Sequence, residues 1–288
     1  MDGILVVNKP AGYTSRDVVN KVSKILNTKK IGHTGTLDPI ATGVLVLCIG
    51  KATKLVEILT STEKEYIAEV TLGIKTDTLD NTGNILEEQN THIDKEQIIK
   101  ALNSMIGVYN QEVPIYSAVK INGKKLYEYA RENKEIELPK RNVQIKQIEL
   151  LGEIKYESNK TIFRFKCLVS KGTYIRSLIK DIALKLNTIG IMSNLNRIKQ
   201  GNFSIDQSYD IEDIERNHYK IISIADCLDT FKNVIADDFL INKIKNGAIL
   251  QNRYNEDTIV FKDNNNNCLA IYKTYDKDVT KIKPWKIF

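Results

Sequence analysis

The chain opens on an unbroken apolar run, Ile4-Leu5-Val6-Val7, closed by Asn8-Lys9-Pro10-Ala11-Gly12. That pattern predicts a strand over residues 3–8 and then a turn. Val18, Val19, Val22, Ile25 and Leu26 recur at the spacing of one helical face, and Thr14 or Ser15 can cap the helix they predict. Periodicity lapses across residues 32–43, a loop rich in glycine and threonine, and returns as an apolar strand over residues 44–49. A short helix over 52–59 and a strand over 64–72 follow.

Thr76-Asp77-Thr78-Leu79-Asp80-Asn81-Thr82-Gly83 reads as a polar loop. Its acidic spacing is superficially that of a calcium loop, but the terminal glutamate is not where such a loop needs it, so an Asx turn is expected. Asp94 starts a helix reaching residue 105, with Gln97 completing a capping box. Residues 117–121 predict a strand ended by Asn122-Gly123, and 126–132 a helix. Two long strands are expected over 143–151 and 161–170; in the second, Phe163, Phe165 and Cys167 alternate with Arg164 and Lys166. Residues 175–186 have helical spacing. After about residue 235 the texture changes to short strands, an asparagine turn at 264–267 and a basic end at Lys281, Lys283 and Lys286. The expected organisation is a main body over 1–234 and a small β-rich module over 235–288. Mixed strands and helices with antiparallel turns make the body α+β.

Composition narrows the function classes. At 288 residues, 42% hydrophobic and 27% charged, the chain can build a core without disulfide staples. The run at 4–7 is too short for a leader or a membrane span, and no later stretch reaches the roughly 18 apolar residues a span needs, so a cytoplasmic protein is expected. Cys48, Cys167, Cys227 and Cys268 form no C-x-x-C pair, which signals neither zinc nor a redox dithiol; free buried thiols are expected. The three histidines, His33, His92 and His218, are widely spaced, so no metal site is expected and a Ser-His-Asp hydrolase has few candidate bases. The net charge of +6 is unevenly placed: residues 139–200 carry 13 Lys/Arg against 4 Asp/Glu. A basic stretch of this kind is the footprint of a polyanion such as RNA, or else of solvated strand faces.

The loop Gly32-His33-Thr34-Gly35-Thr36-Leu37-Asp38-Pro39-Ile40-Ala41-Thr42-Gly43 is the least ordinary stretch. Its glycines permit close approach to a ligand, and Pro39 pushes Asp38 toward an extended backbone that can present a carboxylate from a fixed edge. Asp-Pro also occurs in plain turns, so the residues alone leave both readings open. A phosphate-cradling loop requires Gly-x-x-x-x-Gly-Lys-Ser/Thr; Gly50-Lys51-Ala52-Thr53 lacks the upstream glycine. The second candidate, Ser170-Lys171-Gly172-Thr173-Tyr174-Ile175-Arg176, lies at a strand-to-helix junction inside the basic stretch. An aromatic face and a guanidinium there suit a flipped base and its phosphate, or an ordinary surface turn. Tyr66 on a strand is by itself a packing residue, and His33 beside Gly32 a loop histidine.

Taken together these segments resemble the bacterial tRNA pseudouridine-55 synthase family. The likeness runs in order through Gly3-Ile4-Leu5-Val6-Val7-Asn8-Lys9-Pro10, residues 32–43, Lys64-Glu65-Tyr66 and Thr76-Asp77-Thr78. It continues in Tyr116-Ser117-Ala118-Val119-Lys120, Gly123-Lys124-Lys125-Leu126-Tyr127-Glu128-Tyr129-Ala130-Arg131 and residues 171–176, covering roughly the first 200 residues. The resemblance implies the pseudouridine synthase fold, a bent, mixed, largely antiparallel sheet with flanking helices, followed by a PUA-like RNA-binding module. It implies Asp38 as the essential carboxylate, Arg176 as its partner and Tyr66 as the tyrosine stacking on the target base. Tyr174 and Leu195 (in Asn194-Leu195-Asn196-Arg197) would line the uridine pocket, and His33 would prop the rearranged T-loop. It further implies tRNA as substrate, no cofactor or metal, no obligatory protein partner and a monomer. Attack by Asp38 at C1′, attack at C6 and a glycal route stay open. One departure is that Val113-Pro114-Ile115-Tyr116 has a single proline where the family usually has two, which puts the local turn in question.

Overall fold

The computed structural model describes residues 1–132 and 134–288. β1 (Gly3–Lys9) begins the main sheet, and α1 (Ser15–Ile25) follows with Thr14 as N-cap in a reciprocal capping box with Asp17. The glycine-rich loop is entered through a short strand, β2 (Ile31–His33), and left through β3 (Thr42–Ile49). A 3₁₀ turn over Gly50–Leu55 leads into α2 (Val56–Thr60), and β4 (Lys64–Leu72) follows. The hairpin β5 (Ile74–Thr76) and β6 (Ile85–Glu88) flanks the polar loop. Then come α3 (Lys95–Asn103), capped by Asp94 and Gln97 as expected, and β7 (Gly107–Glu112).

The strand expected over 117–121 is reduced to β8 (Lys120–Ile121), paired with β9 (Lys124–Lys125) ahead of α4 (Leu126–Arg131). The residues before it bend instead, because Ser117 N–H closes on the Ile115 carbonyl. β10 (Lys140–Glu157) and β11 (Lys160–Val169) form a long antiparallel pair, and α5 (Ile175–Lys185) follows. β12 (Gly190–Gln200), which apolar periodicity does not reveal, then enters the middle of the sheet, with β13 (Phe203–Ser204) beside it.

The nine-stranded sheet runs β1-β3-β12-β4-β11-β10-β7, with β2 on β3 and β13 on β12. Every pairing in it is antiparallel except β12 with β3, so the body is α+β with a mixed sheet. At that parallel contact Gly43 has φ +99, and a Cβ there would collide with the Arg197 backbone and the Asn196 side chain. Only glycine combines that dihedral with so close an approach.

The unbroken apolar runs of β1 and β3 are explained by burial on both faces. Leu5, Val7, Leu45, Leu47 and Ile49 pack against α1 and α6 (Ile211–Glu215). Ile4, Val6, Val44, Val46 and Cys48 face the other way, toward α2, α7 (Ile224–Cys227) and the C-terminal sheet. That second sheet contains β14 (Lys232–Ile235), β15 (Leu250–Gln251), β16 (Thr258–Lys262), β17 (Cys268–Tyr275) and β18 (Asp278–Ile287). Helix α8 (Asp238–Lys245) covers one of its faces, through Ile244 against Ile259, Phe261 and Tyr272. Val260, Ile271, Trp285 and Phe288 on the other face share a core with β1 and β3. A further core lies under β4, β11 and β12, where α3 and α5 pack. It reaches the candidate site through Leu37, Ala41, Tyr66, Ile175 and Leu195.

Candidate active site

Asp38 sits at the tip of the loop between β2 and β3, and the loop is tied down on both sides of it. Ser15 Oγ accepts the Leu37 N–H at 2.9 Å, and the Gly12 N–H donates to the Pro39 carbonyl at 2.8 Å. The fully buried Lys9 ammonium donates to the carbonyls of Pro10, Tyr13 and Pro39, joining the Asn8-Lys9-Pro10 turn to the Asp38-Pro39 turn. Burial pushes Lys9 down to about 8, with nearby Asp38 pulling the other way. The Ala41 N–H donates to the Asp38 carbonyl at 3.0 Å, closing the turn.

The Asp38 side chain is 32% exposed and meets Arg176, which is 6% exposed, from the first turn of α5. Arg176 Nε donates to Oδ2 at 2.9 Å and Nη2 to Oδ1 at 3.0 Å, a fork matching both carboxylate oxygens. Its remaining donors reach the carbonyls of Thr78 and Tyr116, each at 3.0 Å. Four acceptors from three separate segments therefore fix the guanidinium, leaving it little freedom except to aim Asp38. The single-proline turn at Pro114 still delivers the Tyr116 carbonyl to this cluster.

Asp80 is a site residue that sequence reading passed over. It is buried, lies 4.0 Å from Arg176 Nε, and takes hydrogen bonds from the Thr78 hydroxyl, the Thr82 hydroxyl and the Thr82 N–H. The Thr82 N–H contact is the Asx turn expected for this loop; its signal was the Thr-x-Asp-x-Thr spacing, read as a turn and not as a support for charge.

Tyr66 and Leu195 stand on neighbouring strands, with Leu195 opposite Ala68 and Arg197 opposite Tyr66. The Tyr66 ring is buried in the core under the sheet, with the Arg197 guanidinium close to its hydroxyl. Burial pushes this phenol up, and Arg197 works against that shift. Arg197 is itself fully buried and holds the loop from within, donating to the carbonyls of Val44 at 2.7 Å and Gly35 at 3.0 Å. Tyr174, half-buried, is the N-cap residue of α5, two positions before Arg176. His33 ends β2; burial and the charges of Arg16 and Arg197 lower its pKa, and its Nδ1 is buried without a hydrogen-bond partner among the described residues. The structure thus joins Asp38 and Arg176 directly, places Tyr66 and Leu195 in the adjoining core, and leaves Tyr174 and His33 on the rim.

A cavity of about 340 Å³ lies behind the Thr78 and Tyr116 carbonyls, lined by Leu79, Leu86, Pro114, Leu184 and Ile189 among others. Asp38 and Tyr66 do not line it, but Thr78 and Tyr116 do, so it adjoins the Arg176 cluster without containing the carboxylate.

Residues 23–175 match the model of the TruB family pseudouridylate synthase (N terminal domain). The chain is 42% identical to the tRNA pseudouridine synthase B of Bacillus licheniformis over 300 residues, covering 99% of this chain and 97% of that protein. The protein of the same name from Bacillus subtilis is 42% identical over 301 residues, covering 100% and 97%. Among solved structures, a chain of a Cbf5–Nop10–Gar1 complex superposes with a TM-score of 0.72 at 25% identity, covering 99% of this chain and 83% of that one. An aspartate gripped at the mouth of a mixed sheet, the family match and the full-length relatives agree, and the chain belongs to the TruB family of pseudouridylate synthases.

Proposed function

We propose that this protein isomerises uridine to pseudouridine at position 55 in the T-loop of tRNAs. The observation that carries the reading is the part-exposed Asp38 carboxylate, held on both oxygens by buried Arg176, in a chain of this family. The reaction breaks the N1–C1′ bond, turns the uracil and joins C5 to C1′, while C5 loses a proton and N1 ends with one. Product and substrate are isomers, so the atoms balance without oxidant, reductant or energy source, and no cofactor is invoked.

The reacting bond is enclosed in a folded T-loop, so the base must be extruded, at a cost of a few kcal/mol. Stacking on Tyr66 returns about 1–3 kcal/mol of this, while Tyr174 and Leu195 bound the uracil and His33 fills the vacated stack. Asp38 acts on the nucleoside, aimed by Arg176. The tRNA is engaged further by the basic stretch at 139–200 and by the C-terminal sheet, from β14 onward, acting as a PUA-like RNA-binding module. The protein acts as a cytoplasmic monomer without an obligatory protein partner. Among the described residues no helix is long and apolar enough to cross a membrane.

The test is to treat an unmodified tRNA transcript with the purified chain alone and map pseudouridine by carbodiimide adducts and primer extension. The expected stop lies at the T-loop site. Conversion only at other sites, or only after a guide RNA is added, would overturn the reading.

A further inference from the structure

The junction that carries both Tyr174 and Arg176 has no cap of its own, since Tyr174 occupies the N-cap position of α5 and its side chain makes no capping hydrogen bond. One side chain from a different element meets both backbone polar groups of that residue, whose carbonyl also accepts the Leu178 N–H at 3.0 Å. Gln111, on β7 and 1% exposed, accepts the Tyr174 N–H on Oε1 at 2.8 Å and donates from Nε2 to the Tyr174 carbonyl at 3.1 Å. Nε2 also donates to the Tyr109 hydroxyl at 2.6 Å.

The Tyr109 phenol in turn lies near the Asp181 carboxyl, two turns along α5, so β7 meets α5 at a second level. Burial pushes both the Tyr109 phenol and the Asp181 carboxyl up. The Gln111 amide has one consistent polarity. Tyr174 N–H can only donate and so requires Oε1, which turns Nε2 to donate to the Tyr174 carbonyl and the Tyr109 hydroxyl. Next to it, Ser177 Oγ donates to the Glu112 carbonyl and Lys180 Nζ to the Glu112 carboxylate, each at 2.7 Å. The first two turns of α5 are thereby docked on β7.

We propose that Gln111 is a positioning residue: its amide, anchored on the Tyr109 hydroxyl, clamps Tyr174 and so sets the aim of Arg176 on Asp38. The inference rests on the proposed reading of Asp38 and Arg176 as the reacting pair. A guanidinium two residues beyond the clamp cannot keep four acceptors at 2.9–3.0 Å if the junction shifts. Misplacement by about 1 Å costs on the order of 100-fold in rate.

The test compares wild type with Gln111→Glu, Gln111→Leu and Tyr109→Phe in the full chain. The readouts are single-turnover tritium release from [5-³H]uridine tRNA, tRNA dissociation constants and pH profiles taken relative to wild type. At neutral pH the ionised glutamate repels the Tyr174 carbonyl and offers Tyr109 no donor, so its rate falls roughly 30- to 100-fold while tRNA affinity stays within about threefold. Lowering the pH protonates that carboxyl, restores a donor and brings the Gln111→Glu rate back toward wild type, whereas the leucine variant stays slow at every pH. A Gln111→Glu rate equal to wild type, or a deficit that does not change with pH, overturns the proposal. If neither Gln111 variant folds, Tyr109→Phe decides: a loss of about 3- to 10-fold in rate with unchanged affinity is expected, and an unchanged rate overturns it. Absence of tritium release by wild type would sink the proposed function itself, an outcome distinct from these.

Discussion

Replacing Arg176 by lysine keeps the positive charge but exchanges a planar five-donor fork for a single ammonium. In the structure Arg176 makes two hydrogen bonds to Asp38 and one each to the Thr78 and Tyr116 carbonyls, all at 2.9–3.0 Å. These acceptors surround the fork on different sides, so one Nζ cannot reach both Asp38 oxygens and both carbonyls. The variant loses at least one charge-assisted contact to Asp38, and such contacts contribute about 1.5–3 kcal/mol each. If that loss falls on the transition state, single-turnover release slows by about 10- to 150-fold. Thr78 or Tyr116 also keeps a part-buried carbonyl without its charged donor, which lowers stability by about 1 kcal/mol and shows in thermal melting. The assay is tritium release at saturating enzyme, with tRNA binding measured in parallel. A folded Arg176→Lys protein that binds tRNA and turns over within twofold of wild type would refute the idea that the fork's geometry, beyond its charge, matters.

Tyr66→Phe removes the hydroxyl that meets buried Arg197, so it should retain tRNA binding but lose rate and melt at lower temperature; an equal rate would reduce Tyr66 to a stacking platform. Cutting the chain before β14 should give aggregated or unfolded protein, because Ile4, Val6, Val44 and Val46 share their core with Val260, Ile271 and Trp285; a monomeric, cooperatively melting truncate would contradict this. Burial raises Cys48, Cys227 and Cys268 from 9.0 to about 12, so the unfolded chain loses these protons first. Their stabilisation is complete below pH 9 and is lost as pH rises toward 12. Lys9 and Lys64, lowered to about 8, work in the opposite sense between pH 8 and 10.5. In reducing buffer, replacing the three cysteines by alanine should therefore flatten the fall in stability above pH 9; an unchanged slope would refute their part in it.

Much of this organisation was legible in the chain because local physics and tertiary context agree. The capping box at Asp94 forms where the residues place it, Thr14 is the one of the two candidate caps that starts α1, and Phe163, Phe165 and Cys167 turn inward as their alternation requires. β12 was not legible. Its inward positions include Arg197 and Gln200, which donate to the carbonyls of Val44, Gly35 and Thr34 and to the Thr34 hydroxyl, so a central strand reads as a polar one. Gln111 acts through Tyr174, far away in sequence, and the local spacing around Asp80 shows its turn but not its approach to Arg176. Lys9 looked like part of a turn, and only the fold shows it joining two turns from inside. The C-terminal texture announced strands, but α8 was not foreseen, nor that the module's other face would close the core of β1 and β3.

The most direct measurement compares wild type with Asp38→Asn for tritium release from [5-³H]uridine-labelled tRNA, together with tRNA binding. The amide keeps the size of the side chain and one acceptor for Arg176 but removes the carboxylate charge. The account predicts release by wild type, none by the variant, and equal tRNA binding by both. Release by Asp38→Asn at a rate near wild type would contradict the central claim that this carboxylate drives the isomerisation.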